Sequence, residues 1–149
     1  MQSDQTVYVR PLGYVEDSPV ARRVGDREVF IGNVHAPTSG REFETVVSLT
    51  DAQPTTTDHH PLVDGPEADF STFAAAVDAT RARMRADGSV LVHCRAGVSR
   101  SSAVLAAALA TEQETSFVDE LHRVQQARPT AVPHPALHEL GVVYVAAHG

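Results

Sequence analysis

The stretch of sequence that decides the fold is residues 89–111, SVLVHCRAGVSRSSAVLAAALAT. The run from Val90 to Val92 is continuously apolar, as expected of a strand buried on both faces of a sheet. From about Arg100 to Thr111 the chain is rich in alanine and predicts a helix. The turn between these elements lies at the carboxyl end of a buried strand, where open α/β sheets bind their ligands. This stretch therefore predicts an α/β fold with a ligand-binding turn.

The rest of the chain extends the alternation of strands and helices. Short β-branched runs predict strands in the N-terminal half, and apolar residues at helical spacing predict helices in the C-terminal half. The predicted strands are residues 7–9, 28–31, 45–49 and 89–92, the predicted helices are residues 67–87, 100–111, 116–128 and 136–146, and residues 50–66 are a predicted loop. Residues 1–149 are therefore expected to form a single α/β domain with a mainly parallel central sheet flanked by helices.

The charged residues are unusual in kind. The chain has 19 acidic residues against 12 basic ones, a net charge of −7, and it contains no lysine. This negative charge opposes nonspecific binding to nucleic acid and to anionic membranes, so neither is an expected partner. One hypothesis is adaptation to high salt, as in haloarchaeal proteins, since salt screens surface repulsion within about 3 Å at 1 M. A GC-rich genome that favours Arg, Ala, Val and Asp codons explains the same composition.

The sequence indicates neither a membrane protein nor a disulfide-stabilised one. No apolar run approaches the roughly 20 residues of a membrane-spanning helix, and residues 1–5 lack the features of a secretory signal. The single cysteine, Cys94, cannot form an internal disulfide. We therefore expect a cytoplasmic protein, and the sequence is silent on its oligomeric state.

The turn from Cys94 to Arg100 has the composition of an anion-binding loop. The five residues between them can curl so that successive backbone amides converge in front of a helix N-terminus, a nest that binds a tetrahedral dianion. Gly97 permits a backbone conformation that a side chain would obstruct, and the planar guanidinium of Arg100 can hold two phosphate oxygens. The residues predicted to bind phosphate are Arg95, Ala96, Gly97, Val98, Ser99 and Arg100.

The same positive field acts on the sulfur of Cys94. A cysteine at a helix N-terminus beside a cation is stabilised as the thiolate, which is the nucleophilic form. His93 is expected to orient the loop by hydrogen bonds rather than to transfer protons. Taken singly, a cysteine after a buried strand is more often an inert apolar residue, and an isolated arginine is usually solvated. Together with the strand, Gly97 and the helix, they indicate a nucleophile and its anion site.

Residues 93–101 resemble the signature His-Cys-x-x-Gly-x-x-Arg-Ser of the dual-specificity protein phosphatases, within the cysteine-based protein tyrosine phosphatase superfamily. The resemblance implies a three-layer protein-tyrosine-phosphatase-like fold. It implies an enzyme that removes phosphate from side chains of a phosphorylated protein or peptide through a phosphocysteine, without a metal. Neither His59 with His60 nor His134 with His138 has a convincing third ligand, so no metal and no cofactor are expected.

The resemblance extends beyond the signature, from about Val29 to Val145. Residues 30–33, FIGN, are similar to the family's opening strand and turn, and residues 127–129, ARP, are similar to the segment before its last helix. His134 stands where that segment usually has Asn after Pro. This departure is expected to affect helix capping more than chemistry.

The resemblance also implies a proton donor and a hydroxyl beside the sulfur. The donor is expected to be an aspartate on a loop about thirty residues before the cysteine, and Asp64 fits that spacing. Its rivals are Asp58, which is expected to cap a turn, and Asp69, which is expected to complement the dipole of the next helix. Ser101 is expected to hydrogen-bond the sulfur of Cys94 and to help it leave in the second step.

Three competing functions remain at this stage. A phosphatase of phosphoinositides or other non-protein phosphomonoesters would use the same loop, but lipid-head phosphatases resemble it with added lysines, whereas Arg95 supplies one cation beyond Arg100. A sulfurtransferase of the rhodanese kind has a shorter cysteine loop. A phosphopeptide-binding module usually lacks Cys or Arg, and both are present. Because the chain is short, we expect a shallow pocket open to phosphotyrosine, phosphoserine and phosphothreonine.

Overall fold

The computed structural model describes residues 15–148, which form a five-stranded sheet and four α-helices. The strands are β1 (Ala21–Arg23), β2 (Val29–Gly32), β3 (Thr45–Ser48), β4 (Asp58–His59) and β5 (Val90–His93). The helices are α1 (Phe70–Arg85), α2 (Arg100–Gln113), α3 (Phe117–Ala127) and α4 (Pro135–His148), and a short 3-10 turn spans Ala36–Thr38. None of these helices is long and apolar enough to cross a membrane.

The sheet has the strand order β1-β2-β5-β3-β4. Strand β1 is antiparallel to β2, and the other neighbouring pairs are parallel. In the register, Gly32 of β2 and Ser48 of β3 both pair with His93 of β5. The three strands therefore end at one edge of the sheet, and the chain segments that follow them meet there.

Alternate residues of β2, β3 and β5 pair across the sheet and point to the same face. Those on one face form a small cluster with the 3-10 turn and Phe43, and those on the other belong to the main core with the helices. The first set is Phe30, Val46 and Leu91, and the second is Ile31, Val47 and Val92. Burial on both faces explains why β5 is continuously apolar rather than alternating.

Helix α2 is the centre of the helical layer. Its residues from Ser101 to Ala110 are all buried, and α1, α3 and α4 all contact it. Alanine side chains allow this close approach because they occupy little volume. Helices α3 and α4 also meet closely: a Cβ on Gly141 would lie 2.2 Å from Phe117 Cε1, so only glycine fits there.

The predicted α/β class, with a mainly parallel sheet flanked by helices, is confirmed. Two strands were not predicted: β1, and β4, which lies inside the predicted loop 50–66. Both are short and polar, and they form because they pair with the edges of the buried strands rather than through their own apolar pattern. The predicted strand over residues 7–9 lies outside the described residues.

The predicted helix boundaries differ from the observed ones by a few residues. Helix α1 begins at Phe70 rather than at residue 67, because the Asp69 carboxylate accepts the Thr72 amide at 2.8 Å and caps the helix. Ser116 caps α3 in the same way through the Asp119 amide. The last helix begins at Pro135, since proline is well tolerated in a first helical turn.

Candidate active site

The turn after β5 lies where β2, β3 and β5 end. Residues outside the turn donate hydrogen bonds to its backbone carbonyls. The Arg95 carbonyl accepts the Val34 amide at 3.0 Å. The carbonyls of Ala96 and Gly97 accept the Arg128 guanidinium at 3.0 and 3.3 Å. Within residues 15–148, none of the amides from residue 95 to residue 99 donates to a backbone carbonyl. The turn can therefore offer its amides to an anion.

Arg128 is a structural partner of the turn that the sequence analysis did not identify. It is buried, and besides its two bonds to the turn it forms an ion pair with Glu16 at 2.8 Å. The sequence predicts only that it belongs to the Arg-Pro segment before the last helix. Its contacts to the turn join residues 31 and 32 positions apart, so no local pattern of the sequence predicts them.

Gly97 is required by both its conformation and its surroundings. Its φ of +69° lies in the left-handed region, which side chains disfavour. A Cβ here would lie 3.0 Å from the Gly32 carbonyl carbon and oxygen. The turn can therefore pack against the end of β2 only with glycine at this position.

Cys94 lies at the base of the turn and is 2% exposed. Its amide donates to the Gly32 carbonyl at 3.3 Å. Its Sγ lies 3.2 Å from Ser101 Oγ, on the first turn of α2. The sulfur is thus covered by the protein. It lies between the Ser101 hydroxyl and the turn from Cys94 to Arg100, which we call the anion loop, rather than only among apolar side chains.

Arg100 is half-buried at the start of α2. Its Nη1 donates to the Leu62 carbonyl at 3.2 Å, which links it to the segment that carries Asp64. Its Nε is buried and has no hydrogen-bond partner among residues 15–148. A buried guanidinium N–H without an acceptor is costly, so it favours an anion beside it.

His93 is fully buried beneath the turn, and its Nε2 lies 2.6 Å from Ser48 Oγ. Burial, aided by the charge of Arg100, lowers the pKa of His93 to about 4, so the imidazole is neutral at pH 7. Thr56 Oγ1 accepts the Gln53 amide at 2.7 Å and lies 2.7 Å from Ser48 Oγ. Ser48 thus connects the imidazole to the Thr56 hydroxyl, and these contacts fix the orientation of the His93 ring.

Asp64 is exposed, on the segment between β4 and α1. Its Oδ1 accepts a hydrogen bond from Ser99 Oγ at 2.6 Å, so the structure brings Asp64 to the anion loop. The two rival aspartates are engaged elsewhere. Asp58 is not a turn cap but belongs to β4 and forms an ion pair with Arg83 at 2.7 Å.

The other rival, Asp69, is the N-cap of α1. Hydrogen bonds from the Thr72 amide, the Ser71 hydroxyl and the Thr72 hydroxyl lower the pKa of Asp69. A carboxylate held in its ionised form is a poor proton donor at neutral pH.

The remaining predicted phosphate-binding residues lie in the turn as expected, with Arg95 exposed and Val98 and Ser99 buried. Among residues 15–148, no group of three His, Cys, Asp or Glu side chains is arranged to hold a metal ion. A cavity of about 680 Å³ lies elsewhere, on the face of the sheet opposite the helices, and is lined by Arg41, Phe43 and Val46 among others. None of its lining residues is a candidate site residue.

Comparisons with known proteins give consistent matches. Residues 33–142 match the family described as dual specificity phosphatase, catalytic domain. Dual specificity protein phosphatase 19 of Mus musculus is 37% identical over 79 residues, which cover 52% of this chain and 36% of that protein. The dual specificity protein phosphatase OPG106 of vaccinia virus is 30% identical over 135 residues, 80% of this chain and 79% of that protein. This chain thus spans about a third of the mouse protein and most of the viral one.

A similar fold occurs among solved structures. The crystal structure of human DUSP28 superposes with a TM-score of 0.75 at 28% sequence identity. The match covers 87% of this chain and 97% of that one. The similarity therefore includes nearly the whole described chain, not the anion loop alone.

Proposed function

Because this chain belongs to the dual specificity phosphatase family, we propose that it hydrolyses phosphomonoesters on protein side chains through a phosphocysteine intermediate. We take residues 1–149 as one catalytic domain. The observation that carries the proposal is the anion loop itself. Its carbonyls are held from outside, the buried Nε of Arg100 lacks an acceptor within the described chain, and the only sulfur nucleophile lies at its base.

In the first step, the loop amides and Arg100 hold the phosphate with phosphorus in front of Cys94. The thiolate attacks phosphorus from the side opposite the ester oxygen. The S–P bond forms, the P–O ester bond breaks, and Asp64 gives its proton to the leaving oxygen. The products are a phosphocysteine and the free hydroxyl of the substrate side chain.

In the second step, Asp64 is ionised and accepts a proton from a water molecule that attacks phosphorus. The new O–P bond forms and the S–P bond breaks, which releases inorganic phosphate. The sulfur leaves as a thiolate, and the Ser101 hydroxyl at 3.2 Å can donate to it and stabilise the developing charge. No step requires a metal.

The substrate proposal is a singly phosphorylated tyrosine, serine or threonine on a protein or peptide. Arg95 is exposed and is the one further cation of the turn, which suits one phosphate group better than several. The proposal includes a cytoplasmic location, because the single cysteine must stay a reduced thiol to act and that compartment keeps thiols reduced.

Hydrolysis of 4-nitrophenyl phosphate tests the chemistry. Wild type is expected to be active with and without EDTA, Cys94→Ser to be inactive, and Asp64→Asn to lose about 100-fold or more in kcat. Asp87→Asn is a matched control, since Asp87 is exposed near the amino end of β5, at the edge opposite the loop. Equal rates for wild type and Cys94→Ser would refute the phosphocysteine mechanism.

Substrate class is tested separately. A panel of phosphotyrosine, phosphoserine and phosphothreonine peptides is compared with phosphoinositides by release of inorganic phosphate. Release from peptides of more than one kind supports the proposal. Release from phosphoinositides alone would favour a non-protein substrate, and tight peptide binding without release would favour a binding module.

A further inference from the structure

The Ser99 hydroxyl does not make the hydrogen bond that is usual for a serine at the N-cap of a helix. Ser99 directly precedes α2 as its N-cap residue, yet its hydroxyl accepts no amide of the first helical turn. Instead Ser99 Oγ lies 2.6 Å from Asp64 Oδ1 and 2.7 Å from the backbone nitrogen of His134. Ser99 is 4% exposed, and its hydroxyl joins three chain segments that are separate in sequence. A serine at the N-cap normally accepts a backbone amide of its own helix and stabilises that helix. Ser99 lacks this hydrogen bond and contacts an aspartate instead.

The hydroxyl proton of Ser99 is directed by this arrangement. A serine hydroxyl has one proton and two lone pairs. The His134 amide can only donate, so it occupies a lone pair, and the proton is left for the carboxylate of Asp64. The His134 amide is itself fixed, because the His134 carbonyl accepts the amides of Leu137 and His138 at 2.9 Å, at the start of α4.

We propose that Ser99 is a positioning residue for the general acid, and that its hydroxyl holds Oδ1 of Asp64 so that Oδ2 carries the transferred proton. This inference rests on the proposed function and adds a residue to it. Asp64 is exposed and lies on the loop between β4 and α1. A hydrogen bond from the buried Ser99 therefore limits rotation of its carboxyl group. The same bond keeps Oδ2 directed at the reacting oxygen in both steps, as donor in the first and acceptor in the second.

A positioning role through Asp64 differs from a structural role in the anion loop. If Ser99 only shaped the loop, its loss would weaken phosphate binding and slow all substrates equally. If it acts through Asp64, its loss matters most when the leaving oxygen needs a proton. Substrates with a basic leaving group depend on the acid, whereas those with a good leaving group depend on it less.

The test compares kcat/KM for phenyl phosphate, which has the more basic leaving group, with kcat/KM for 4-nitrophenyl phosphate. Ser99→Ala is expected to lose about 10-fold or more on phenyl phosphate and less than about 3-fold on 4-nitrophenyl phosphate. Adding Ser99→Ala to Asp64→Asn is expected to cause no further loss, because the two residues act as one unit. The affinity for inorganic phosphate, measured as product inhibition, is expected to stay within about 2-fold.

Two further variants serve as controls. Ser102→Ala removes a buried hydroxyl from the first turn of α2, one that donates to the Ser99 carbonyl at 2.8 Å and does not contact Asp64. It is expected to keep the wild-type ratio between the two substrates. Ser99→Thr retains the hydroxyl and is expected to restore that ratio. If Ser99→Ala does not fold, Ser99→Gly replaces it, since glycine is well tolerated at an N-cap.

The outcomes separate the inference from the proposed function. Equal losses on both substrates, or an additive loss in the Asp64→Asn background, would overturn the role of Ser99 while leaving the phosphatase chemistry standing. A wild-type protein that hydrolyses neither substrate, or a Cys94→Ser variant as active as wild type, would overturn both.

Discussion

His93 directly precedes the anion loop and Ser101 directly follows it. The two residues have different hydrogen-bond partners. Ser101 lies on α2 and contacts the sulfur directly. His93 ends β5 and depends on Ser48, the last residue of β3. The orientation of the imidazole is therefore set by a strand that is distant in sequence. This explains why the signature alone is not enough to specify the site.

At this scale we propose that Ser101 acts in the second chemical step, because its hydroxyl contacts the sulfur that leaves. In Ser101→Ala the thiolate leaves without its hydrogen bond, so we expect kcat to fall about 10-fold or more. The first step does not release the sulfur, and kcat/KM is expected to change less than about 3-fold. Rapid mixing with 4-nitrophenyl phosphate should show a burst of 4-nitrophenolate close to one equivalent of enzyme.

Ser102→Ala, which removes a neighbouring hydroxyl with no contact to the sulfur, is the control and should show no new burst. Equal decreases of kcat and kcat/KM without a burst would contradict this role for Ser101.

The second prediction at the residue scale concerns pH. Burial lowers the pKa of His93 to about 4 from its ordinary value of 6.5. The unfolded chain therefore binds a proton more readily than the folded one between these values. Protonation of His93 therefore favours the unfolded chain. Its effect on the free energy of unfolding is absent above about pH 6.5, and the free energy of unfolding decreases as the pH falls from there towards 4. The difference corresponds to about 3 kcal/mol in the free energy of unfolding.

Urea unfolding of wild type and His93→Gln between pH 4.5 and 7.5 measures this contribution, because carboxylates that titrate in the same range affect both proteins alike. The variant should show the smaller decrease in unfolding free energy as the pH falls. Should His93→Gln fail to fold, the ring titration of His93 by NMR gives the same answer. A midpoint near 6.5 would contradict the prediction.

At the scale of the elements, the anion loop is held between neighbours on two sides. Strand β2 meets it at Gly32, and Arg128, which follows α3, holds two of its carbonyls. Glu16 neutralises the buried Arg128. Each nitrogen of the buried Arg128 guanidinium has one hydrogen-bond partner. Loss of any of these partners would leave part of a buried charge uncompensated, which is strongly destabilising. The shape of the loop is therefore a property of several elements, not of the turn sequence alone.

Gly97→Ala tests this close contact. The left-handed φ of +69° costs about 1 kcal/mol or more for alanine, and its Cβ would press on the Gly32 backbone at 3.0 Å. We expect the loop to shift and kcat/KM to fall about 100-fold or more, since small misplacements have effects of that size.

Gly40→Ala is the matched control for Gly97→Ala. Gly40 also has a positive φ, of +91°, but a Cβ there meets nothing within 4 Å. It should lose about 1 kcal/mol of stability with kcat/KM within about 2-fold of wild type. Similar activity losses in both variants would show that backbone strain alone, rather than contact with β2, explains the effect.

At the scale of the whole molecule, the sequence was informative wherever a local pattern carried the signal. The buried strand, the turn from Cys94 and the helix after it follow from apolar periodicity and a short motif. The link from Ser99 to Asp64 and the bonds from Arg128 to the turn join residues 31 to 35 positions apart. Such contacts depend on how the helices pack on the sheet, which no window of sequence contains. Strands β1 and β4 were missed for the same reason.

The charge of the whole molecule gives the last prediction. A net charge of −7 on 149 residues repels itself in the folded state, and the repulsion acts over about 30 Å at 0.01 M salt but only about 3 Å at 1 M. We therefore expect the melting temperature to rise by a few degrees as KCl increases from 0.01 to 1 M, and then to level off. The exposed ion pair between Arg23 and Glu28 will weaken over the same range, but single surface pairs contribute little.

Thermal melts and 4-nitrophenyl phosphate hydrolysis across a KCl series from 0.01 to about 3 M measure both effects. Sodium chloride at matched ionic strength separates screening from a specific need for potassium ions, because screening depends only on ionic strength. A melting temperature and activity that continue to rise above 1 M would favour adaptation to high salt, because screening is already complete there. An optimum at low salt would refute the screening argument, and codon bias would then be the better explanation for a chain without lysine.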